Sequence, residues 1–268
     1  MEWSSMSNEI TAITVFDSYT ERLYTWFLCN DSWPQAGPVS RMPCVNHPEG
    51  MKFVEFDTPA MAFKTEKEML QHYVKHMRKQ DPDVVAGWYV AGADIRVLAE
   101  RLDHWGIGAK SLSPMNRHRY EYQDDWSQPI PGRLCIDLMV AWSKLWQLKN
   151  GKLPNLKLDT AASEGLHERK IPLPDGHDTY YSDIGTYIHY NRVDVELMPR
   201  LNSLNNAIEH FLAVQHLVQC DIRTTPFVTK IFSLLAMRDP EFQYRIPSKP
   251  QFSKVDYEGA DIMEPEPD

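Results

Sequence analysis

Three carboxylates and one phenol in this sequence have types and settings suited to chemistry: Glu2, Asp94, Tyr190 and Asp194. Asp94 follows the apolar stretch VVAGWYVAGA at the head of an expected helix, just past a buried strand. Tyr190 and Asp194 are four residues apart in a helical stretch, which puts phenol and carboxylate on one face. Glu2 opens the chain ahead of an expected hairpin. Carboxylates converging from separate elements suit phosphodiester hydrolysis with two divalent ions, which sit about 3.5–4 Å apart and clamp the attacking and leaving oxygens. Mg²⁺ and Mn²⁺ favour such oxygen donors, and a nearby tyrosine hydroxyl can orient the attacking water. Each residue also has a plainer reading: Asp94 as a helix N-cap, Asp194 as a solvated helix residue, Glu2 as a terminal polar side chain. Spacing alone leaves both readings open.

The elements that would position these residues follow from periodicity and punctuation. Ile10–Asp17 and Arg22–Leu28 alternate apolar and polar residues around Ser18–Glu21 and predict a β-hairpin. The Pro/Gly-bearing stretch Pro34–Gly50 reads as a loop and Lys52–Phe56 as a strand. Thr65 with Glu68 forms a capping-box signature that opens a helix to about Lys79. Val84–Trp88 is a short buried strand, followed by a helix over Asp94–Trp105; residues 111–132 form a long hairpin or loop. Leu134–Asp137 is a strand and Met139–Leu148 a helix. From Asp183 the chain is helical, with Ile188, Leu197, Leu201, Leu204, Ile208, Phe211 and Leu212 as an apolar stripe and Pro199 as a kink. Thr225-Pro226 starts a further helix to about Met237. Strands alternating with helices point to an α/β layer with a mixed sheet.

Composition narrows the function classes. Four cysteines without CxxC spacing, and ten histidines without HxH or HxxxH pairs, argue against zinc knuckles, disulfide frameworks and histidine-based metal sites. No apolar run approaches the roughly 18 residues of a membrane span, so no membrane partner and a cytoplasmic location are expected. The net charge of −9 is opposite in sign to that of a nonspecific duplex binder but compatible with a carboxylate-bearing nuclease site. Lys157 and Lys170 read as solvated surface, and Trp88, Trp105, Trp142 and Trp146 as core.

Asp83–Leu102 resembles the second exonuclease motif of family B DNA polymerases, in which an apolar strand ends in Gly-Trp-Asn and Phe-Asp follows. Tyr187–Leu197 is similar to the third motif, Tyr-x-x-x-Asp, here Tyr190 and Asp194. Gly132–Leu138 and Leu156–Ala162 resemble the intervening strand and helix, and Ile10–Phe27 the hairpin after the first motif in T-even phage-like replicative polymerases. Tyr257-Glu258-Gly259-Ala260 matches the motif joining exonuclease and polymerase domains, and Glu264–Pro267 the approach to the palm. Three departures stand out: Tyr89 replaces the Asn, Ala93 replaces the Phe, and the first motif's Asp would fall just before Met1, leaving Glu2 aligned with its Glu.

The resemblance implies a ribonuclease H-like 3′→5′ exonuclease domain with a mixed sheet over residues 1–205. Residues 206–268 would be a helical connector and the start of the palm region. It implies proofreading of the primer 3′ end in DNA replication, with two Mg²⁺ or Mn²⁺ ions held by Glu2, Asp94 and Asp194 and the attacking water positioned by Tyr190. Tyr89, Tyr257 and Gly259 would contact DNA, with Tyr89 stacking on a base. Expected partners are single-stranded DNA, a separate palm-bearing polymerase subunit and a sliding clamp, in a prokaryotic or virus-infected cell. The family's polymerase carboxylates would lie beyond Asp268, so polymerisation by this chain alone is not expected. The family's first-motif strand is central in the sheet, and the expectation here is a gap with only Met1–Trp3 to fill it. Weak hydrolysis by the chain alone follows. A catalytically silent DNA-binding segment, or one half of a split polymerase, are the alternatives.

Overall fold

The computed structural model describes residues 2–3, 9–45, 50–122 and 126–239. Tyr257 and Gly259 lie outside them. The chain divides into two compact units, Met1–Pro226 and Phe227–Asp268. The first begins with strands β1 (Glu2–Trp3), β2 (Ile10–Asp17), β3 (Arg22–Leu28), β4 (Gly37–Cys44) and β5 (Lys52–Phe63). Helix α1 (Glu66–Gln80), strand β6 (Val84–Gly87), a π-helical turn (Ala91–Ile95) and α2 (Arg96–His104) follow. Then come β7 (Leu134–Asp137), α3 (Leu138–Asn150), α4 (Leu158–Leu166) and α5 (Thr179–Ser182). Helices α6 (Ile184–Asn205) and α7 (Ala207–Val218) complete the unit. The second unit contains α8 (Val228–Arg238).

Local signals explain most of these bounds. The hairpin turn is closed by Asp17, whose carboxylate accepts the Tyr19 N–H at 2.9 Å and the Thr20 hydroxyl at 2.9 Å. The Thr65 hydroxyl accepts the Glu68 N–H at 3.3 Å, the expected N-cap of α1. Two expectations need correction. The 34–50 stretch is no simple loop, because β4 runs through it. Its prolines, Pro38 and Pro43, are tolerated because β4 is an edge strand paired only to β5. Thr225 does not cap the last helix either: its hydroxyl binds the Ile222 carbonyl at 2.7 Å, and α8 starts at Val228.

The main sheet has the order β1-β2-β3-β5-β4, antiparallel except for the parallel pair β3/β5. A second sheet consists of the parallel pair β6/β7, in the register Val84↔Leu134 to Gly87↔Asp137. This is a mixed α/β architecture of the ribonuclease H-like type. Glu2 pairs with Ala12 and Trp3 with Ile10, which sets β1 beside β2. Among the described residues no strand joins β2 to β6.

Two apolar clusters fill the first unit. One lies between the five-stranded sheet and α1, and includes Ile10, Trp26, Phe27, Met69, Leu70, Leu102 and Tyr187. The other gathers Ile136, Trp142, Ala161, Leu197, Leu201 and Phe211 around α3, α4, α6 and α7. Helix α6 belongs to both. Its first half packs on the sheet, where Tyr187 OH meets the Thr11 hydroxyl at 2.7 Å; a Cβ on Gly185 would stand 1.7 Å from the Pro43 carbonyl oxygen. Its second half receives the Trp142 indole N–H on the Leu201 carbonyl at 2.9 Å. The α6 stripe ends earlier than its pattern suggests, since Leu204 is exposed. Trp142 is fully buried; Trp88, Trp105 and Trp146 are half-buried at the margins of the clusters.

Candidate active site

Strand β6 feeds both clusters, Val85 packing on the first and Val84 on the second, so its carboxyl end emerges at their seam. There the chain turns through Trp88, Tyr89 and Val90 into the π-helical turn that contains Asp94. The Ile95 N–H reaches the Val90 carbonyl at 2.9 Å, five residues back, the spacing that widens a helix by one residue. Such bulges cluster at functional sites. The α2 N-cap position is Ile95, so Asp94 is not its cap. The Asp94 carboxylate sits near the buried Tyr73 phenol, whose pKa is raised by burial first and by the Asp94 charge second. Tyr89 adopts φ 61°, its N–H donating at 3.0 Å to Oδ1 of the buried Asp137 at the end of β7.

Helix α6 crosses the same seam and presents Tyr190 and Asp194 one turn apart, as their spacing predicts. Both meet Lys170. Its ammonium donates to Asp194 Oδ2 at 2.6 Å and to the Tyr190 hydroxyl at 3.1 Å, and lies 5.1 Å from the Tyr190 ring centroid. The side chains of Lys170 and Asp194 are only 23% and 14% exposed, so this is a largely buried pair and not a solvated surface lysine. Burial acts to lower the Lys170 pKa, but the Asp194 charge and hydrogen bond outweigh it and the pKa is raised. The lysine is therefore held as a cation against the carboxylate.

The loop after α4 delivers it. Asp159 Oδ1 accepts the Lys170 N–H at 2.9 Å, and Arg200 of α6 forms a two-pronged pair with Glu168, one prong at 2.7 Å. Nothing in the sequence marked Lys170, because its partner is 24 positions away and the loop path is set by tertiary packing.

Tyr190 and Asp194 are thus brought together, through Lys170. Asp94 lies in the π-helical turn that follows the carboxyl end of β6, the side on which α/β sheets bind their ligands. Glu2 enters through its backbone pairing with Ala12; its side chain lies outside what is described. Carboxylate and phenol oxygens are the donor chemistry that Mg²⁺ or Mn²⁺ prefers. Among the described residues, however, no three His, Cys, Asp or Glu side chains are grouped to hold an ion. A cavity of about 350 Å³ lies elsewhere, lined by Arg117, Arg119, Arg133, Asp221 and Ile222 among others and by none of the site residues above. No described helix is long and apolar enough to cross a membrane.

Comparison with known proteins bears on this arrangement. Residues 40–160, which contain Tyr89, Asp94 and Asp137, match the family model of the exonuclease domain of DNA polymerase family B. The chain is 22% identical over 275 residues to a DNA-directed DNA polymerase of Enterobacteria phage T4, covering 97% of this chain and 30% of that protein. It is 24% identical over 278 residues to the DNA-directed DNA polymerase of Escherichia phage RB69, covering 99% of this chain and 31% of that protein. The chain therefore spans about a third of the length of these curated relatives. Similarity to the exonuclease domain of DNA polymerase family B thus covers the turn that carries Asp94, and similarity to the two phage polymerases extends over the helix that carries Tyr190 and Asp194.

Proposed function

We propose that the chain is the 3′→5′ proofreading exonuclease part of a DNA polymerase, removing nucleotides from the single-stranded 3′ end of a primer during replication. The observation that carries this reading is the group formed by Tyr190 and Asp194 of α6 with Lys170 from the loop after α4, together with Asp94 in the π-helical turn after β6. In this reading Glu2, Asp94 and Asp194 hold two divalent ions, which when bound polarise the phosphodiester and the attacking water. Tyr190 holds that water by its hydroxyl, and Lys170, a cation against Asp194, keeps phenol and carboxylate in one orientation. Tyr89 stacks on an unpaired base, and Tyr257 and Gly259 touch DNA further along the chain. Polymerisation would need a palm-bearing region or subunit in addition, and a sliding clamp would be a partner of that assembly.

The test is degradation of a 5′-labelled single-stranded oligonucleotide with Mg²⁺, using the chain alone and the chain extended by a strand ending in Asp-Ile before Glu2. The extended chain is expected to be faster, and Asp94→Ala and Asp194→Ala should each reduce its rate to background. Degradation that persists without divalent ions, or that survives Asp194→Ala, would sink the reading. Binding of the oligonucleotide with no cleavage in any form would favour the second reading, a silent binding segment. The ammonium already paired with Asp194 is the feature that favours this alternative.

A further inference from the structure

Tyr89 is an outlier with consequences. Among the described residues, the other non-glycine positions with positive φ are Glu21, Asp81, Asn116, His167, Asn206 and Gln219, which close turns or end helices. Tyr89 is the bulkiest of them and stands in a strand-to-helix turn, where Gly or Asn would adopt φ 61° with less strain. Such strain persists only where the surroundings over-determine it, and it gathers at binding and catalytic sites.

One buried acceptor holds it here, and one open position accommodates the ring. Asp137, 2% exposed and opposite Gly87 in the β6/β7 register, takes the Tyr89 N–H at 3.0 Å. The same Oδ1 takes the Met139 N–H at 3.1 Å, capping α3. Gly92 is the open position: a Cβ there would stand 2.5 Å from the Tyr89 Cζ and 2.8 Å from its hydroxyl, so a larger residue would displace the phenol end of the ring from over the π-helical turn. Tyr89 so held is still 47% exposed, so the strain does not serve to bury it.

We propose that Asp137 is a positioning residue which holds Tyr89 in its left-handed conformation, with Gly92 leaving room for the ring, as a rigid stacking platform for an unpaired DNA base beside Asp94. The inference rests on the single-strand site proposed above and adds to it the device that orients the platform. Asp137 touches no substrate; it acts through the Tyr89 backbone. A preset ring loses little freedom on binding, and this is how a strained backbone is turned into affinity.

The test measures binding of fluorescent oligo-dT to the whole chain by anisotropy, in chelator so that hydrolysis does not intervene. A second oligonucleotide has an abasic 3′ end. Tyr89→Ala should weaken binding of the intact end about tenfold, the loss of one stacked base. Gly92→Ala, which displaces the ring, and Asp137→Ser, which keeps a short cap for Met139 but cannot also reach Tyr89, should each weaken it similarly. Neither should weaken it further in a Tyr89→Ala background, and all forms should bind the abasic end alike. Tyr89→Asn should melt higher than the wild type while binding the intact end more weakly. If Tyr89→Ala weakens binding and both Gly92→Ala and Asp137→Ser leave it intact, the positioning role is overturned and the site reading stands. If the wild-type chain binds neither oligonucleotide, the site reading fails and the inference falls with it.

Discussion

Removing the Glu66 carboxylate should destabilise the chain more than almost any other single polar substitution. Glu66 opens α1, and its side chain is 0% exposed. It accepts the Ile10 N–H at 2.8 Å, the Arg101 Nε at 2.9 and 3.1 Å, the Trp105 indole N–H at 2.5 Å, and a further short bond from Arg101 Nη2. One carboxylate therefore ties the start of β2 to α1 and α2. Glu66→Ala would strand a guanidinium whose side chain is only 15% exposed, together with the buried Ile10 N–H and the half-buried Trp105 indole N–H. Breaking a buried ion pair from one side costs about 3–5 kcal/mol. The two orphaned donors fall within that figure, because contributions inside one network do not add. For a domain of this size each kcal/mol moves Tm by about 2–4 °C, so a fall of roughly 10 °C is expected.

Calorimetry and urea titration of Glu66→Ala, Arg101→Met and the double variant would measure it. The double variant should be less destabilised than the sum of the single ones, since an apolar pair leaves no stranded charge. The Ile10 amide donates to Glu66 Oε1, so it should also exchange faster in Glu66→Ala. A loss under about 1 kcal/mol, or strict additivity of the two single variants, would refute the account, because a buried charge network must couple.

Two other outcomes follow from named groups. The Trp26 indole N–H donates to His72 Nδ1 at 2.8 Å, which requires a neutral imidazole. The pKa of His72 is lowered by burial and then by Lys75; that of His76 is lowered by burial and by His72 and Lys79, against an opposing pull from Asp17. A base with a lowered folded pKa binds fewer protons folded than unfolded, so its contribution is intact above the ordinary value of 6.5 and is lost as pH falls through the folded value. Tm should therefore drop as the pH is lowered below 6.5, and the drop should flatten in a His72→Gln/His76→Gln variant; an unchanged slope there would exclude these histidines. Lys170→Met should cost about 2 kcal/mol without divalent ions, discounted for partial exposure, by removing the ammonium held against Asp194. Added Mg²⁺ should raise the Tm of that variant more than that of the wild type, and equal shifts would show that ammonium and ion do not compete for Asp194.

The sequence by itself determined what neighbours along the chain can determine. Ile10–Asp17 and Arg22–Leu28 are strands with the expected bounds because alternation and a polar turn are local properties. Thr65 caps α1 because its acceptor is three residues from its donor. Tyr190 and Asp194 share a face because the α-helical period leaves them no other arrangement. Family resemblance then located Asp94 in a strand-end motif that spacing alone could not separate from a helix cap.

Tertiary structure decided the rest. Lys170 looked like any surface lysine until the loop after α4, pinned by Asp159 and by the Glu168–Arg200 pair, folded its ammonium onto Asp194. β4 was hidden because proline lowers strand expectation, and only the place of a strand in the sheet makes proline harmless; an edge is defined by what is absent beside it. Asp137 read as the last residue of a strand, and its role depends on β6 lying parallel to β7 so that one buried oxygen reaches the Tyr89 amide. Contacts between residues 24 or 48 positions apart carry no local pattern, because the chain between them can take many paths and packing selects one.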